Sequence, residues 1–254
     1  MPLHLIGIGL NYEKDISVRG LEIVKKCDLI YLETYSSVLA CSLADLEKFY
    51  GKKIIPAGRE LVEQSDEIVD NAIKKEVALL VIGDPLSATT HIDIMLRARK
   101  KGVLFNVINN ASILTSVGIA GLQIYKFGKT SSVPFPDMHF QPVTAYEVVK
   151  QNRILGLHTM LILDLRPAEN KFMTVNQAIE ILLGIERHRQ EQLFTEDTLC
   201  VGCARIGRGD FFIKAGSAKD LLSVDFGSPP HCLLVPGELH FIEEEALEAW
   251  KLKE

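Results

Sequence analysis

Short apolar runs alternate with longer amphipathic stretches along the first part of the chain. The runs are continuous, which is typical of strands buried on both faces of a parallel sheet. They predict strands at Leu3–Ile8, Leu29–Glu33, Lys53–Pro56, Val77–Ile82 and Leu104–Ile108. The stretches between them have helical period and predict helices at Val18–Cys27, Leu39–Tyr50, Leu61–Lys74 and His91–Lys101. The pattern therefore predicts an α/β fold.

The pattern changes near Val107–Ser112, where we place a boundary between two lobes. Beyond it, helices are predicted at Ser112–Leu122, Ala145–Leu155 and Thr174–Arg189. Strands are predicted at Ser131–Phe135, Thr159–Leu163, Leu199–Ala204 and Cys232–Val235. We expect an N-terminal α/β lobe over residues 1–110 with a largely parallel sheet, and a C-terminal lobe over 111–254 with a mixed sheet. A cleft between the lobes is the expected ligand site.

Composition and charge argue against several classes of protein. The 254 residues carry a formal net charge of −5, which argues against a nucleic-acid-binding surface. No apolar stretch is long enough to span a bilayer, and the start of the chain lacks the features of a signal peptide. We therefore expect a cytoplasmic protein. The acidic stretch Ile242–Trp250 predicts a solvated amphipathic helix.

The cysteines and histidines give no metal signal. The cysteines are odd in number and lie mostly within apolar runs, which indicates buried thiols. Cys200 and Cys203 have the spacing of a redox or zinc pair, but they fall in a predicted strand, where positions three apart face opposite sides. No second pair and no histidine spacing completes a ligand set. No metal site is predicted.

The sharpest candidate site follows the strand at Val77–Ile82. There Gly83-Asp84-Pro85 precedes a run of small and hydroxyl residues, at a strand end where ligands gather in α/β folds. Gly83 allows a ligand to approach the backbone, and Asp84 can accept hydrogen bonds from ribose hydroxyls or an ammonium group. A tight turn in which Asp84 or Thr89 caps the next helix is an equally good interpretation.

Two further segments carry candidate residues. Ser112 opens a helix of small residues, where it would cap the helix or touch a ligand, although close packing is the alternative interpretation. His231 follows a rigid Pro229-Pro230 turn directly before a strand. A histidine in that position is more often a hydrogen-bonded structural residue than a base.

Other phosphate-binding and hydrolytic motifs are missing from the sequence. The first turn, Gly7-Ile8-Gly9-Leu10-Asn11-Tyr12, has tyrosine where a dinucleotide fingerprint places its third glycine. Neither a P-loop nor a nucleophile elbow occurs. Chemistry carried by a cofactor bound in the cleft is the remaining interpretation.

Several motifs resemble those of the tetrapyrrole methylase superfamily, whose members bind S-adenosylmethionine between two α/β lobes. They are Gly7-Ile8-Gly9, Asp15–Gly20 and Gly83-Asp84-Pro85. More narrowly, Gly83–His91, Gly121–Lys129 and Pro229–Gly237 are similar to the diphthine synthase family, and the similarity runs over nearly the whole chain. Corrin-pathway relatives usually carry Pro-Gly where this chain has Leu10–Lys14, which favours the diphthine branch.

The resemblance implies a cofactor and its contacts. The cofactor is S-adenosylmethionine, the product is S-adenosylhomocysteine, and no metal is involved. The family's cofactor contacts match Leu10, Asp84, Ser87, Ser112, Ile113, Leu163, Ala204 and His231 of this chain. No catalytic base is singled out.

The resemblance also implies a reaction and partners. The reaction is successive methylation of the amino group of a 3-amino-3-carboxypropyl-histidine on translation elongation factor 2, which gives diphthine in diphthamide biosynthesis. Archaeal members stop at the trimethylammonium product, whereas eukaryotic members go on to a methyl ester. A homodimer is implied as well. Two alternatives stay open, a corrin-precursor methyltransferase and a non-catalytic nucleotide-binding regulator of the same fold.

Overall fold

The structure divides into two compact units, each with its own five-stranded sheet. The computed structural model describes residues 2–87, 89–136 and 143–252, so Ala88 of the Gly83–His91 motif lies outside the described residues. The first unit comprises Met1–Leu114 and Arg166–Glu169, and the second comprises Thr115–Leu165 and Asn170–Glu254. Residue 110, where the sequence analysis places the boundary, lies within the first unit.

The first unit contains the parallel sheet that the apolar runs predict. Its elements are β1 (Leu3–Gly7), α1 (Val18–Lys26), β2 (Leu29–Glu33), α2 (Leu43–Tyr50), β3 (Ile55–Ala57), α3 (Glu67–Ala72), β4 (Val77–Val81), α4 (Ile92–Lys100) and β5 (Phe105–Ile108). The strands lie in the order β3-β2-β4-β1-β5, and all the pairings are parallel. The predicted α/β class and parallel sheet are confirmed.

Both faces of this sheet are buried, which explains why its strands are continuously apolar. Leu3 and Leu5 of β1 belong to one core cluster, and Ile6 belongs to another. In β4, Leu79 lies in the first cluster and Leu80 in the second. Because side chains alternate along a strand, every position of β4 faces a core and none faces water.

The helix predicted over Leu61–Lys74 is divided in the structure. A π-helical turn spans Glu60–Gln64, and α3 begins only at Glu67. Ser65 adopts an extended backbone between them, and its hydroxyl oxygen accepts a hydrogen bond from the N–H of Glu67 at 3.1 Å. A local side-chain bond to the backbone thus replaces the continuous helix.

The second unit has the mixed sheet that the sequence predicts. The remaining elements are α5 (Ile113–Ser116), β6 (Ser131–Val133), α6 (Val143–Ile154), β7 (Thr159–Leu163), β8 (Leu165–Arg166), β9 (Lys171–Phe172), α7 (Val175–Arg189), β10 (Leu199–Ala204), β11 (Phe212–Ser217), α8 (Ala218–Leu221), β12 (His231–Val235) and α9 (Phe241–Glu248). The sheet order is β11-β10-β12-β7-β6, with β6 and β7 parallel and the other pairs antiparallel. Strand β11 was not predicted. Among the described helices, none is long and apolar enough to cross a membrane.

The helix predicted over Ser112–Leu122 is shorter than expected. A turn of α-helix at Ile113–Ser116 passes into a 3₁₀ turn at Val117–Ala120, and Gly121 ends it with a φ of 94°. A Cβ on Gly121 would lie 2.5 Å from the Cβ of Ala246. Glycine is therefore required at this point both by the backbone conformation and by the close packing of α9.

The acidic C-terminal helix is amphipathic, as its pattern predicts, with Glu244, Glu245 and Glu248 exposed, but one of its acidic residues is buried. Glu243 is fully buried, and its side chain accepts hydrogen bonds from the backbone N–H groups of Gln123 and His240. His158 lies 2.9 Å from the same carboxylate, and Lys126 forms an ion pair with it. One charge of the acidic run therefore fixes α9 to the second unit.

A second buried carboxylate, that of Glu186 on α7, anchors a turn. It accepts the hydroxyl proton of Tyr146 at 2.7 Å and the backbone N–H groups of Gln192, Leu193 and Phe194 at 2.8 to 2.9 Å. Burial alone raises the pKa of Glu186, but these hydrogen bonds outweigh it and lower the pKa to about 2.

We expect Glu186→Gln to lower the free energy of unfolding at neutral pH by about 1–3 kcal/mol, because an amide nitrogen would then face backbone donors. The depressed pKa means that the ionised carboxylate stabilises the fold above roughly pH 5 and loses this contribution as the pH falls towards about 2. The difference between wild type and variant should shrink over that range. Urea unfolding at several pH values measures it.

Glu180→Gln, at an exposed position of the same helix, is the matched control and should change stability little. Equal stability of the wild type and Glu186→Gln at neutral pH would contradict this account of Glu186.

Candidate functional site

The loops that follow β1 and β4 pair with each other at the carboxyl edge of the first sheet. Gly83 donates its N–H to the carbonyl oxygen of Gly9 at 2.7 Å, and Gly9 donates to that of Gly83 at 3.3 Å. Both glycines have positive φ, 78° at Gly9 and 83° at Gly83. A Cβ on Gly7 would lie 2.5 Å from the Gly83 carbonyl oxygen. The Gly-x-Gly of the first turn is therefore required by this pairing.

The buried carboxylate of Asp84 joins these loops to the loop after β5. Its Oδ1 accepts hydrogen bonds from the N–H of Leu86 at 2.9 Å and the hydroxyl of Ser87 at 3.1 Å. Its Oδ2 accepts from the side-chain amide of Asn109 at 2.9 Å and the N–H of Asn110 at 3.1 Å. Burial alone raises the pKa of Asp84, but these four bonds outweigh it and hold the pKa below its ordinary value.

This geometry tests the helix-capping interpretation of Asp84. Helix α4 begins at Ile92, and no side-chain hydrogen bond caps it. The hydroxyl of Thr89 donates instead to the carbonyl oxygen of Pro85 at 2.9 Å. The interpretation of Asp84 or Thr89 as a helix cap is therefore wrong. Asp84 organises two loops, and its carboxylate already accepts about as many hydrogen bonds as its lone pairs allow.

Asn110 extends the same network to the first loop, and sequence reasoning missed it. Its side-chain amide donates to the carbonyl oxygens of Gly7 at 2.9 Å and Asp15 at 3.0 Å. The Asp15 side chain in turn accepts the N–H of Asn11 at 3.0 Å. Asparagine supplies both donors and acceptors, which such a junction needs, but no spacing rule in the sequence marks it.

The predicted site residues of the first unit lie on these joined loops. Leu10 and Ser87 are half-buried, and the Leu10 side chain would be 3.6 Å from a Cβ placed on Gly83. Ser112 is buried, and its hydroxyl oxygen accepts the N–H of Leu114 at 3.1 Å. The capping role predicted for Ser112 is thus confirmed. Ile113 follows it, half-buried, at the start of α5.

The other predicted residues lie together at one end of the sheet in the second unit. Leu163 ends β7, Ala204 ends β10 and His231 begins β12. Ala204 is directly opposite His231 in the antiparallel register, and β7 runs on the other side of β12. All three are buried, with the exposed fraction of each at or below 8%.

The imidazole of His231 has one engaged and one free nitrogen. Nε2 lies 3.2 Å from the carbonyl oxygen of Gly227 and 3.1 Å from that of Ser228, so Nε2 carries the proton. Within the described residues, the buried Nδ1 has no hydrogen-bond partner. Burial lowers the pKa of His231, which keeps the ring neutral. His231 therefore presents an unpaired acceptor.

The buried side chain of Arg205 holds the loop that precedes His231. Its guanidinium donates to the carbonyl oxygens of Phe226 at 2.8 Å and Ser228 at 2.7 Å, and it contacts Asp210 at 2.9 Å. Arg205 has a φ of 54°, a left-handed conformation that is costly for a residue with a Cβ. Sequence reasoning missed Arg205 because its partners are backbone oxygens of a distant loop.

The two cysteines with motif spacing have different environments. Cys200 belongs to the core of the second unit, whereas Cys203 is directly opposite Cys232 on β12. A hydrogen bond with Cys232 and burial raise the pKa of Cys203, and burial also raises that of Cys200. Both remain thiols at neutral pH, as the interpretation of a structural pair predicts.

One group of possible metal ligands occurs away from these loops. Ligand atoms of His4, Cys27 and Glu76 lie within 4.8 Å of one another. His4 Nε2 is 3.1 Å from a carboxylate oxygen of Glu76, and burial raises the pKa of the Cys27 thiol to about 12. The group forms a hydrogen-bonded pair beside a protonated thiol. Its members are far apart in the sequence, so spacing could not reveal it.

Comparison with a family model places most of the chain in one family. The model describes tetrapyrrole (corrin/porphyrin) methylases, and it matches residues 2–222. The match includes the loops joined by Asp84 and also β10, which ends at Ala204.

Individual relatives are similar over the full length. The chain is 48% identical to the "Probable diphthine methyl ester synthase" of Arabidopsis thaliana, with 99% of each chain covered. It is 43% identical to the diphthine methyl ester synthase of Homo sapiens, covering 99% of this chain and 96% of the relative. A crystal structure assigned to a diphthine synthase of Entamoeba histolytica superposes with a TM-score of 0.93 at 46% identity, covering 100% of this chain and 99% of the other.

Proposed function

The chain belongs to the tetrapyrrole methylase family, and we propose that it is the methyltransferase of diphthamide biosynthesis that acts on translation elongation factor 2. The observation that carries this proposal is full-length identity of 43% to 48% with proteins named as diphthine methyl ester synthases. Corrin-precursor methylases share the family, but the relatives named here carry the diphthine name. The acceptor would be the 3-amino-3-carboxypropyl-histidine of the elongation factor.

The names of the relatives favour a methyl ester as the final product. Three methyl groups would go to the amine, and a further one would go to the carboxylate oxygen. In each transfer a bond forms from nitrogen or oxygen to the methyl carbon, and the bond from that carbon to sulfur breaks. The product would then carry one methyl group more than diphthine.

S-adenosylmethionine fits the chemistry of the residues that the sequence analysis assigns to it. When bound, it supplies a methyl group activated by a positively charged sulfur. The unpaired Nδ1 of His231 is a buried acceptor suited to an N–H donor such as an adenine amine. A neutral His231 also avoids repelling a cationic ligand.

We propose that the predicted residues of both units contact the cofactor. Leu10, Ser87, Ser112 and Ile113 would contact it directly. Asp84 would act chiefly by fixing the loops, because its carboxylate is occupied by protein donors. Leu163, Ala204 and His231 would contact it as well.

The chain's own contribution to the reaction would be alignment and exclusion of water. Orientation of two reactants can supply roughly 7–11 kcal/mol of a barrier. An amine has an appreciable neutral fraction near neutral pH, so water can take the released proton without a dedicated base. We assign no catalytic base.

We further propose a cytoplasmic homodimer. Several apolar side chains are exposed on the second unit, including Ile124 at 38%, Tyr125 at 80% and Phe241 at 67%. A hydrogen bond joins the two segments that carry these side chains, because the N–H of Gln123 donates to Glu243 at 2.7 Å. Exposed apolar groups held close together favour a surface that a second copy covers.

Intact-mass analysis of the elongation factor, after incubation with the chain and S-adenosylmethionine, tests the function. We expect four added methyl groups on the factor that bears the amino-carboxypropyl group, and none on the unmodified factor. Three groups would restrict the reaction to the amine. Binding of the cofactor without any S-adenosylhomocysteine being formed would indicate a non-catalytic regulator instead.

We expect Asp84→Ala and His231→Phe to weaken S-adenosylhomocysteine binding about tenfold or more, because the first releases the joined loops and the second removes the buried acceptor. Isothermal calorimetry measures the affinity. His188→Phe, at an exposed position of α7, is the matched control. Unchanged affinity in both variants would remove these residues from the cofactor site.

Light scattering tests the dimer. At micromolar concentration the wild type should give a mass about twice the 28.3 kDa of one chain. Tyr125→Asp should shift it to the monomer, because a charge would be buried without a partner in the interface. Leu104→Asp changes a residue of the first unit that is 77% exposed, and it should leave the dimer intact. A 28.3 kDa wild type would refute the dimer.

A further inference from the structure

A cavity of about 410 Å³ lies in the first unit beside the Gly83–His91 loop. Its lining includes Tyr35 from the segment after β2, Arg59 and Glu63 from the segment after β3, and Thr90 from the segment before α4. These segments follow parallel strands, so the cavity lies at the carboxyl edge of the sheet. None of the predicted cofactor residues lines it, which leaves its volume available to a second ligand.

Opposite charges in this cavity form a long ion pair, Arg59 with Glu63. Glu63 Oε1 accepts the hydroxyl protons of Tyr35 at 3.2 Å and Thr90 at 2.9 Å. Glu63 Oε2 points to Arg59 Nε, but the distance of 3.9 Å is too long for a hydrogen bond. Within the described residues, no hydrogen bond engages the Arg59 guanidinium. Glu63 Oε2 and the Arg59 guanidinium thus face each other as an ion pair and keep their hydrogen-bonding capacity for a ligand.

The neighbouring structure fixes the position of this charge pair. The buried carboxylate of Glu33 accepts the N–H groups of Tyr35 at 2.7 Å and Ser36 at 2.6 Å, which holds the Tyr35 backbone. The Arg59 guanidinium lies over the Tyr35 ring, 5.1 Å from its centroid. Burial, Glu33 and Glu63 raise the pKa of Tyr35, so the hydroxyl stays protonated and remains a donor to Glu63.

A ligand that suits this pair must carry a negative and a positive group a few ångströms apart. A guanidinium binds a carboxylate through two parallel N–H donors, and a carboxylate oxygen accepts from an amine. An α-amino acid group has both. The acceptor in the proposed function ends in such a group, since the same carbon of the amino-carboxypropyl chain bears the amine and the carboxylate.

We propose that this cavity is the acceptor subsite, in which Arg59 pairs with the α-carboxylate and Glu63 Oε2 accepts an N–H of the amine that is methylated. The inference rests on the proposed function. The cavity lies beside the loop that contains Asp84. Thr89 and His91 line the cavity, and both contact the carbonyl oxygen of Pro85, at 2.9 Å and 3.0 Å. The loop that borders the cofactor thus also borders the acceptor.

Steady-state kinetics on the elongation factor bearing the amino-carboxypropyl group tests the subsite. We expect Arg59→Met and Glu63→Gln each to raise KM for the elongation factor about tenfold, because each removes one charge-assisted contact. KM for S-adenosylmethionine should stay the same. Arg59→Lys should fall between the wild type and Arg59→Met, because lysine keeps the charge and loses the paired donors.

Arg99→Met is the matched control, since it removes the same charge from an exposed position of α4 in the same unit. An equal rise of KM in Arg99→Met and Arg59→Met would mean that positive charge attracts the elongation factor from any surface position. That result would overturn the subsite. Unchanged KM for the elongation factor in both Arg59→Met and Glu63→Gln would overturn it as well. A wild type that transfers no methyl group would instead remove the proposed function, and this inference with it.

Discussion

The architecture at the carboxyl edge of the first sheet depends on one buried carboxylate. Asp84 is ionised, and a buried charge is tolerated only when donors surround it. The four donors come from its own loop and from the loop after β5, so neither loop can move without leaving the charge unsatisfied. The side-chain amide of Asn110 also donates to the carbonyl oxygens of Gly7 and Asp15, which connects the first loop to the same network. These hydrogen bonds therefore fix the described parts of the loops relative to one another.

The fold was predictable wherever the pattern of apolar and polar residues alone determines the type of element. Strand β4 is apolar at every position because both faces of its sheet are covered. Such a run can be recognised in the sequence without knowledge of its tertiary contacts. Strand β11 was missed because four of its six residues are only half-buried and Gly216 weakens its pattern. The burial of Glu243 was missed because charge predicts exposure, whereas two of its donors, Gln123 and His158, lie 120 and 85 residues away.

The residue types of the candidate site were predictable from the sequence, but the hydrogen-bond partners of these residues were not. The sequence places Asp84 at a strand end, but its Oδ2 is bound by residues 25 and 26 positions further along the chain. In the same way, the sequence marks His231 but not the tautomer, which is set by the carbonyl oxygens of Gly227 and Ser228. Arg205 left no signal at all. Motifs identify which groups are present, whereas pairing across loops determines what each group does.

The loops joined by Asp84 are more constrained than the pair of Arg59 and Glu63, which would suit the proposed methylation of two kinds of atom. Arg59 is 67% exposed and Glu63 is 32% exposed at the side chain, whereas Asp84 is buried. Each methyl group placed on the amine removes an N–H that Glu63 could accept, until none is left. The carboxylate would keep its charge, and with it the pairing to Arg59, until it is itself methylated. Loss of one of the two contacts would free the group to turn about the other, which would present an oxygen where the nitrogen had been, while the fixed loops keep the methyl donor in place.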